Sequence, residues 1–282
     1  MERLTRVDFT NLDKMLYPKD GLKKLDVVKY YIQVAPRMLP FLRNRALVLT
    51  RFPDGIGLEG FYEKDAPKGT PEWVKKYRTY SESAHRYLDY VVCDDIDTLL
   101  WLANLAVIEF HIPLSQIDYP DKPNLVLFDL DPQLPAGFKE AVIVAKLIRQ
   151  KLFDRGVKCF VKTSGKRGLH IVVHIRRDHI FEETRSWAHS IGIELAKETE
   201  LVSSEKKLVK IPGKIYIDYP QNGHSRTMAC PFSLRAIQGA SVSTPLNWDK
   251  LGESKPPELN LKTVPARQEA WADFWDDPQK LG

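Results

Sequence analysis

Two aspartates separated by one residue, Asp129 and Asp131, are the feature of this sequence that points most directly to chemistry. They lie at the end of an apolar run, residues 124–129, that is typical of a buried strand. Because residues two apart on a strand share a face, both carboxylates point the same way while Leu130 points into the core. Such carboxylates repel one another unless a cation or proton lies between them, and hard oxygen ligands favour Mg²⁺ or Mn²⁺. The alternative is that Asp131 starts a turn before Pro132 and Asp129 caps a neighbouring segment.

A third acid, Asp218, ends a second strand pattern. Alternation over residues 214–219 places Tyr216 and Asp218 on the face opposite two isoleucines, and Pro220 then ends the strand. Residues 206–248 contain six Lys or Arg and a single acid, Asp218, so this carboxylate stands out from its surroundings. Together the three acids predict a two-metal site of the kind that nucleotidyl transfer uses to activate a hydroxyl and to neutralise a triphosphate.

A basic loop containing two glycines lies between two further strand patterns. Residues 164–168 supply the hydroxyl of Ser164 and the charges of Lys166 and Arg167, and His170 lies where the chain re-enters the sheet. The loop is not a Walker loop, because the GxxxxGK[ST] spacing and the helix that should follow are missing. The pattern favours a phosphate-binding loop, and a mobile basic hairpin tip is the alternative.

Other candidates are weaker one by one. His111 either contacts a nucleotide or is a hydrogen-bonded core histidine, and the local pattern favours the core. Arg235 either clamps a triphosphate or is a surface charge. Phe61 and Tyr62 either stack on a base or belong to the core.

Lysines and histidines elsewhere leave similar alternatives. Lysines 14, 23 and 24 either hold a phosphate or form a solvated charge run. Histidines 170, 174 and 179 lack acid or cysteine neighbours at zinc spacing, so no zinc site is predicted.

The elements that must position these residues alternate between strands and helices, which indicates an α+β architecture with one mixed sheet carrying most of the polar candidates. Helices are predicted over residues 96–106, 138–153 and 181–197, and another starts with Asp26 as N-cap and is kinked or ended by Pro36 and Pro40. Strands are predicted over residues 46–51, 60–64, 87–93, 124–129, 157–162, 169–174, 208–211 and 214–219. Residues 124–162 then form a βαβ unit and residues 208–219 a hairpin.

Length and composition exclude several classes of protein. With 282 residues, 43% hydrophobic and 28% charged, the chain can bury a sizeable core and is not a disordered protein. No apolar run approaches the roughly 18 residues that span a bilayer, and the N-terminus lacks the apolar stretch of a signal peptide. The three cysteines are widely spaced, which predicts neither a disulfide framework nor a metal knuckle and fits a reducing cytoplasm.

The positive charge is unevenly distributed. The net charge is +5, and residues 158–177 contain six Lys or Arg and no acid. A basic half favours a polyanionic partner, either nucleic acid or nucleotide phosphates, and a solvated basic face is the alternative.

Seven strings, taken in order, resemble the polymerase domain of bacterial ligase D, the end-joining branch of the archaeo-eukaryotic primase superfamily. The strings are residues 11–18, 61–64, 109–113, 128–132, 163–170, 218–222 and 233–235. The family often has two phenylalanines where this chain has Phe61 and Tyr62, and often a lysine in place of Arg167. Both departures preserve chemical type.

The resemblance implies an α+β primase-type fold of two subdomains, one built on an RRM-like mixed sheet, that share a catalytic cleft. It implies one primase-polymerase domain over residues 1–282, with about residues 8–250 matching the family and residues 251–282 as a helical C-terminal extension. The implied activity is template-dependent nucleotidyl transfer that fills gaps and extends ends in non-homologous end joining, with a preference for ribonucleotides.

The resemblance also implies roles for particular residues. Asp129 and Asp131 would bind two Mn²⁺ or Mg²⁺ ions, and Asp218 would join them at the ion that activates the primer 3′-hydroxyl. The nucleotide would be bound by His111, Ser164, Lys166, Arg167, His170 and Arg235, with Ser164 as candidate for the 2′-hydroxyl. The DNA would be bound by Lys14, Lys24, Arg51, Phe61, Tyr62 and Lys64, with the first two at a 5′-phosphate and the aromatic pair against the template.

The implied partners are DNA with gaps or 3′-overhanging ends, NTPs and dNTPs, a Ku-type end-binding protein and a DNA ligase. The chain is expected to be a monomer in the cytoplasm, associated with the nucleoid and with no membrane, and either a stand-alone polymerase or a piece of a larger fusion. A two-metal nuclease and a non-catalytic DNA-end-binding module are the competing functions. The basic loop and Arg235 suit a triphosphate, which argues against a nuclease. Three acids without a metal would weaken phosphate binding, which argues against a pure binder.

Overall fold

The computed structural model of the chain describes residues 5–82, 84–203 and 211–281. Two units, each built from segments far apart in sequence, make up the fold. The first comprises Met1–Pro113, Ala229–Ser243 and Pro257–Arg267, and the second comprises Leu114–Met228, Thr244–Pro256 and Gln268–Gly282. In the described part of the chain, no helix is both long enough and apolar enough to cross a membrane.

The first unit combines two helices with short antiparallel sheets. Its elements are β1 (Met15–Tyr17), β2 (Leu22–Lys23), α1 (Lys24–Leu42), β3 (Val48–Arg51), β4 (Phe61–Glu63), β5 (Lys76–Ser81), β6 (Arg86–Val91), α2 (Ile96–Asn104) and β7 (Val107–Pro113). Strand β3 pairs antiparallel with β4 on one side and with β7 on the other. The pairs β1–β2 and β5–β6 form separate two-stranded sheets.

Helix α1 differs from its prediction at its N-terminus, and of the two predicted effects of its prolines, a kink or an end, the end does not occur. It begins at Lys24, and Asp26 is not its N-cap: the Asp26 carboxylate accepts the backbone N–H of Lys23 from within the first turn, at 2.8 Å. The helix also runs through Pro36 and Pro40 rather than ending there. Its buried face continues past both prolines, and this tertiary burial outweighs the hydrogen bonds that the prolines remove. That face consists of Val27, Tyr31, Val34, Met38 and Leu42.

The second unit is built on a six-stranded mixed sheet. Its elements are β8 (Leu125–Pro132), α3 (Phe138–Phe153), β9 (Phe160–Thr163), β10 (Leu169–His174), α4 (Phe181–Glu198), β11 (Val202–Ser203) and β12 (Ile215–Ile217). The chain passes to the first unit within β13 (Thr227–Ala229), and β14 (Pro245–Leu246) is the outer strand that completes the six-stranded sheet. The strand order is β11-β12-β8-β10-β9-β14. The central four strands, with α3 and α4, form the βαββαβ arrangement of an RRM-like sheet, which confirms the α+β class and the predicted βαβ unit.

The sheets agree with the predictions in part. Among the described residues there are four sheets, and the six-stranded one is mixed and carries Asp129, Asp131 and His170. Strand β8 continues through Asp131 to Pro132, because β12 pairs with it there. The predicted hairpin partner of β12, residues 208–211, lies outside the described residues except for Ile211, so the hairpin stays a prediction, and β12 pairs with β8 and β11.

The segment after residue 250 contains no α-helix among its described residues. It has short 3-10 helices over Trp248–Glu253, Pro256–Glu258 and Val264–Ala266. Beyond them, Trp271 and Phe274 pack against the ring of Phe160 on β9, with ring centroids 5.7 Å and 4.9 Å away. Aromatic packing therefore fixes this segment in the second unit.

Candidate active site

The three predicted metal ligands lie side by side in the second unit. Asp129 and Asp131 lie two apart on β8, and β12 pairs Tyr216 with Asp131. Continued by one step, this register sets Asp218 opposite Asp129, where the Asp218 amide donates to the Asp129 carbonyl at 2.9 Å. The strand pairing thus brings the three acids together, as the sequence predicted.

The electrostatics of the acids reflect this arrangement. Burial, and then the charge of Asp129, raise the pKa of Asp131 and also that of Asp218 above the usual range. The charge of Arg167 acts on Asp131 in the opposite direction. Burial and the nearby acids also raise the pKa of Tyr216 to about 12. The negative charges of the three carboxylates therefore repel one another at the end of β8.

The carboxylate oxygens of Asp129, Asp131 and Asp218 are the type of ligand that a divalent cation prefers, and a cation among them would offset their repulsion. The side chains do not, however, form a ready-made cluster: over the described ranges, no three His, Cys, Asp or Glu side chains are placed to hold a metal ion. Two of the carboxylates turn to amide donors instead. Asp131 accepts from Gln133 Nε2 at 3.0 Å, and Asp218 accepts from Gln221 Nε2 at 3.1 Å.

His170 lies on the other side of Asp129. Strand β10 pairs it with Asp129, and its Nε2 is 3.4 Å from Oδ1 of that carboxylate. Its Nδ1 is 2.8 Å from Nζ of Lys162, which is fully buried on β9. An ammonium only donates, so Nδ1 accepts and Nε2 carries the hydrogen that faces Asp129. Lys162 was not predicted, and it fixes the ring tautomer of a predicted site residue.

The basic loop is held by its own hydroxyl. Ser164 Oγ accepts the amides of Lys166 and Gly168 at 3.2 Å and 3.1 Å, while Lys166 and Arg167 are exposed. Gly168 is required by space, since a Cβ there would lie 2.1 Å from the carbonyl oxygen of Leu130. This close approach sets the loop beside the two aspartates of β8.

A buried asparagine explains the string after Asp218. The side chain of Asn222, fully buried in the 3-10 helix Tyr219–Asn222, accepts the Leu127 amide at 2.8 Å and donates to the Leu127 carbonyl at 2.7 Å. It replaces the strand pairing that Pro220 ends. Asn222 therefore holds Asp218 against β8, a role that the sequence alone does not show.

In the first unit, His111 and Arg235 share one carboxylate. Glu109 and His111 lie two apart on β7, and His111 Nε2 is 3.1 Å from Oε2 of Glu109. Oε1 accepts from Arg235 Nε at 3.2 Å and from the Ala236 amide at 3.0 Å. Arg235 is buried, so it is not a surface charge, and His111 is partly exposed rather than enclosed in the core.

Three further hydrogen bonds hold the string 233–235 and the residues just before it against β7 and β1. The Phe110 amide donates to Ser233 Oγ at 2.8 Å, and the Cys230 amide donates to the Phe110 carbonyl at 2.8 Å. The hydroxyl of buried Tyr17 donates to the Arg235 carbonyl at 2.9 Å. The backbone that carries Arg235 is therefore rigidly placed next to Glu109.

Lys14 and Lys24 are neighbours, as a shared phosphate site requires. The Lys24 amide donates to the Lys14 carbonyl at 2.8 Å. Lys14 Nζ pairs with Asp54 at 2.6 Å, and Lys24 Nζ donates to the Asn104 carbonyl at 2.8 Å. Burial, and then the charge of Lys14, lower the pKa of Lys24. An anion between the two ammonium groups would relieve this repulsion.

The predicted aromatic pair is on the surface. Phe61 and Tyr62 on β4 are 56% and 61% exposed, so neither belongs to the core. Tyr62 and Lys64 line a cavity of about 400 Å³. The guanidinium of Arg51, which is predicted to bind DNA, pairs with Glu63 at 2.9 Å, and its Nε donates to the Leu105 carbonyl.

The sequence gives only partial signals for the three residues that were missed. Glu109 is an acid within an apolar strand pattern and two residues from a histidine, which is a usable signal for a paired buried acid. Lys162 is likewise a cation in an apolar strand, but its partner depends on pairing between β9 and β10. Asn222 depends on a fold of the chain after Pro220 that no local pattern indicates.

Comparison with known proteins agrees with this geometry. The sequence model of the family described as LigD, primase-polymerase domain, matches residues 23–275. The bifunctional non-homologous end joining protein LigD of Bacillus subtilis is 32% identical over 281 residues, which cover 97% of this chain and 45% of that protein. The multifunctional LigD of Mycolicibacterium smegmatis is 28% identical over 277 residues, covering 97% of this chain and 36% of that protein. The chain thus spans less than half the length of these relatives.

A solved structure shows the same fold. The polymerase domain of Mycobacterium tuberculosis ligase D, in complex with DNA, superposes with a TM-score of 0.84 at 28% identity, covering 93% of each chain. The extent of the family match and the shared fold lead to one assignment. This chain belongs to the family of LigD primase-polymerase domains.

Proposed function

We propose that this chain is a template-dependent polymerase of the primase type that fills gaps and extends DNA ends in non-homologous end joining by two-metal nucleotidyl transfer. The observation that carries the proposal is the row of Asp218, directly after β12, Asp129 on β8 and His170 on β10, with Asp131 two residues along β8. Repelling carboxylates beside a basic loop suit a reaction in which cations and a polyphosphate meet.

Each acid has its own task in this reaction. Asp129 and Asp131 hold both Mn²⁺ or Mg²⁺ ions, and Asp218 joins them on the primer side. When bound, the ions lower the pKa of the primer 3′-hydroxyl and neutralise charge on the triphosphate and the leaving pyrophosphate. His170, whose Nε2–H faces Asp129, keeps that carboxylate oriented.

The cationic residues bind the incoming nucleotide. In the second unit, Lys166 and Arg167 contact the triphosphate from the exposed side of the loop that Ser164 organises. In the first unit, Arg235 and His111 contact the phosphates, and both side chains are held by the carboxylate of Glu109. Arginine suits this role because its planar guanidinium binds phosphate oxygens in pairs.

The DNA is bound by the first unit. Lys14 and Lys24 hold a 5′-phosphate, and the exposed rings of Phe61 and Tyr62 stack on template bases beside Lys64. Arg51 supports this surface through Glu63. A Ku-type end-binding protein and a DNA ligase act beside this chain, in the cytoplasm at the nucleoid. The relatives are named as bifunctional and multifunctional non-homologous end joining proteins, which supports a role of this chain in that repair process.

The function is tested by incubating the protein with primer–template DNA, one labelled NTP and Mn²⁺. Extension of the primer is expected. Shortening of the primer would indicate a nuclease, and binding without either change would indicate an end-binding module.

A preference for ribonucleotides belongs to the same proposal, with Ser164 meeting the 2′-hydroxyl. NTPs are expected to be used more efficiently than dNTPs. Equal efficiency would contradict the preference, and an unchanged ratio in Ser164→Ala would contradict the residue.

A further inference from the structure

Glu109 is a buried acid on β7 to which no part of the proposed reaction assigns a role. Its two carboxylate oxygens divide their contacts: Oε2 faces His111 Nε2 at 3.1 Å, and Oε1 accepts from Arg235 Nε at 3.2 Å and from the Ala236 amide at 3.0 Å. A buried ionised carboxylate is costly unless it is paired in this way. The same three contacts keep it ionised: burial would raise its pKa, but His111, Arg235 and Ala236 outweigh burial and lower the pKa to about 2.

The hydrogen bond between Glu109 and Arg235 fixes the orientation of the Arg235 guanidinium. Because the guanidinium is planar, a bond at Nε sets the orientation of its terminal nitrogens as well. The backbone on the other side is fixed by the Tyr17 hydroxyl and by the Arg235 amide, which donates to the Ser241 carbonyl at 2.8 Å. Arg235 is therefore held at both ends, by its backbone and by Glu109.

The contact between Glu109 and His111 fixes the tautomer of the His111 ring. An ionised carboxylate only accepts, so Nε2 of His111 carries a hydrogen, and Nδ1 is the ring nitrogen turned away from Glu109. One carboxylate thus orients two cationic or polar groups at once.

We propose that Glu109 is a positioning residue that presents Arg235 and His111 to the triphosphate of the incoming nucleotide, an inference that rests on the proposed function. Glu109 itself does not contact the nucleotide, since its negative charge would repel the phosphates. It acts through Arg235 and His111, and its removal weakens their contacts with the phosphates without altering the carboxylates on β8.

The test uses Glu109→Gln, which keeps the size of the side chain and removes its charge. Primer extension at saturating DNA gives KM for the NTP and kcat separately. KM is expected to rise about 10- to 100-fold, the scale of a charged hydrogen bond, with kcat changing less than about threefold. Loss of folded protein would lower kcat and DNA binding without raising KM. A rise in KM with little change in kcat therefore indicates a positioning role rather than a folding defect.

A double-mutant cycle identifies the partner. Arg235→Ala is expected to raise KM by itself, and adding Glu109→Gln in that background is expected to raise it less than about twofold further. Asp94→Asn is the matched control, because Asp94 also accepts one amide, that of Asn44, and one ammonium, that of Lys75, each at 2.7 Å. Its KM is expected to equal that of the wild type.

The outcomes separate this inference from the proposed function. If the wild type does not extend primers, the proposed function fails. If Arg235→Ala raises KM while Glu109→Gln leaves it unchanged, or if the two effects simply add, the positioning role alone is overturned. Should Glu109→Gln not fold, Glu109→Asp retains the charge on a shorter side chain, and its expected intermediate rise in KM, or the lack of one, decides the same question.

Discussion

The ammonium group of Lys162 lies 2.8 Å from Nδ1 of His170, and both residues are buried on neighbouring strands of the six-stranded sheet. Lys162→Met would remove the donor that fixes the His170 tautomer while nearly filling its space. We expect the extension rate to fall about tenfold or more, with a loss of only about 1–2 kcal/mol in unfolding free energy. Single-turnover extension and urea unfolding measure the two effects. Lys146→Met, on the exposed face of α3, is the control, and an extension rate equal to the wild type in Lys162→Met would contradict the role.

Removing either aspartate of β8 should stop catalysis and spare DNA binding. Asp129→Ala and Asp131→Ala are expected to lower extension by at least about 100-fold, because each removes an oxygen ligand from the reaction centre. The basic surface is unchanged, so affinity for primer–template DNA, measured by fluorescence anisotropy, should stay near the wild-type value. Asp277→Ala, an exposed acid of the same unit, serves as control. Substantial extension by both variants would refute the assignment.

Asn222 should matter for stability. Asn222→Ala leaves the amide and carbonyl of Leu127 buried without their partners, so we expect a loss of about 2–4 kcal/mol in unfolding free energy. Chemical denaturation gives this value directly. Asn247→Ala, an exposed asparagine whose side chain caps no helix, should change stability by less than about 0.5 kcal/mol. Similar small losses for both variants would show that the contacts of Asn222 with β8 contribute little.

Lys14 and Lys24 should recognise a 5′-phosphate. On gapped DNA, the terminal phosphate is expected to strengthen wild-type binding by about 1–3 kcal/mol, because a dianion attracts two adjacent ammonium groups more than a phosphodiester does. The Lys14→Ala/Lys24→Ala double variant should lose this difference, and Lys29→Ala on the exposed side of α1 should keep it. An equal loss on DNA with and without the phosphate would mean that the pair only adds to general backbone affinity.

Glu109 should make stability depend on acidity. Its pKa of about 2 lies below the ordinary 4.5 of an unfolded glutamate, so its ionised form stabilises the folded state above pH 4.5. That contribution, on the order of 3 kcal/mol, is lost as the pH falls from 4.5 through 2. Urea unfolding of the wild type and of Glu109→Gln should therefore differ most at pH 7, and the difference should shrink below pH 4.5 and vanish only below about pH 2. A constant difference between the two proteins would contradict the linkage.

The parts of the site that the sequence predicted depend on local geometry. Asp129 and Asp131 share a face because of their spacing on one strand, and β10 and α3 have the predicted bounds. The parts that were missed depend on pairing between distant strands: Lys162 meets His170 only through the β9–β10 register. The continuation of α1 through Pro36 and Pro40 has the same origin, because burial of the helix face against residues distant in sequence stabilises it.

The division of the chain into discontinuous units has a consequence for synthesis on the ribosome. Glu109 and Phe110 obtain their partners Arg235 and Ser233 from positions 126 and 123 residues later. At about 5–20 residues per second, β7 waits roughly 6 to 25 seconds for these partners to emerge. The first unit is completed only when Pro257–Arg267 has been made, after most of the second unit. The earlier-encoded unit therefore cannot finish folding until most of the later-encoded one has been synthesised.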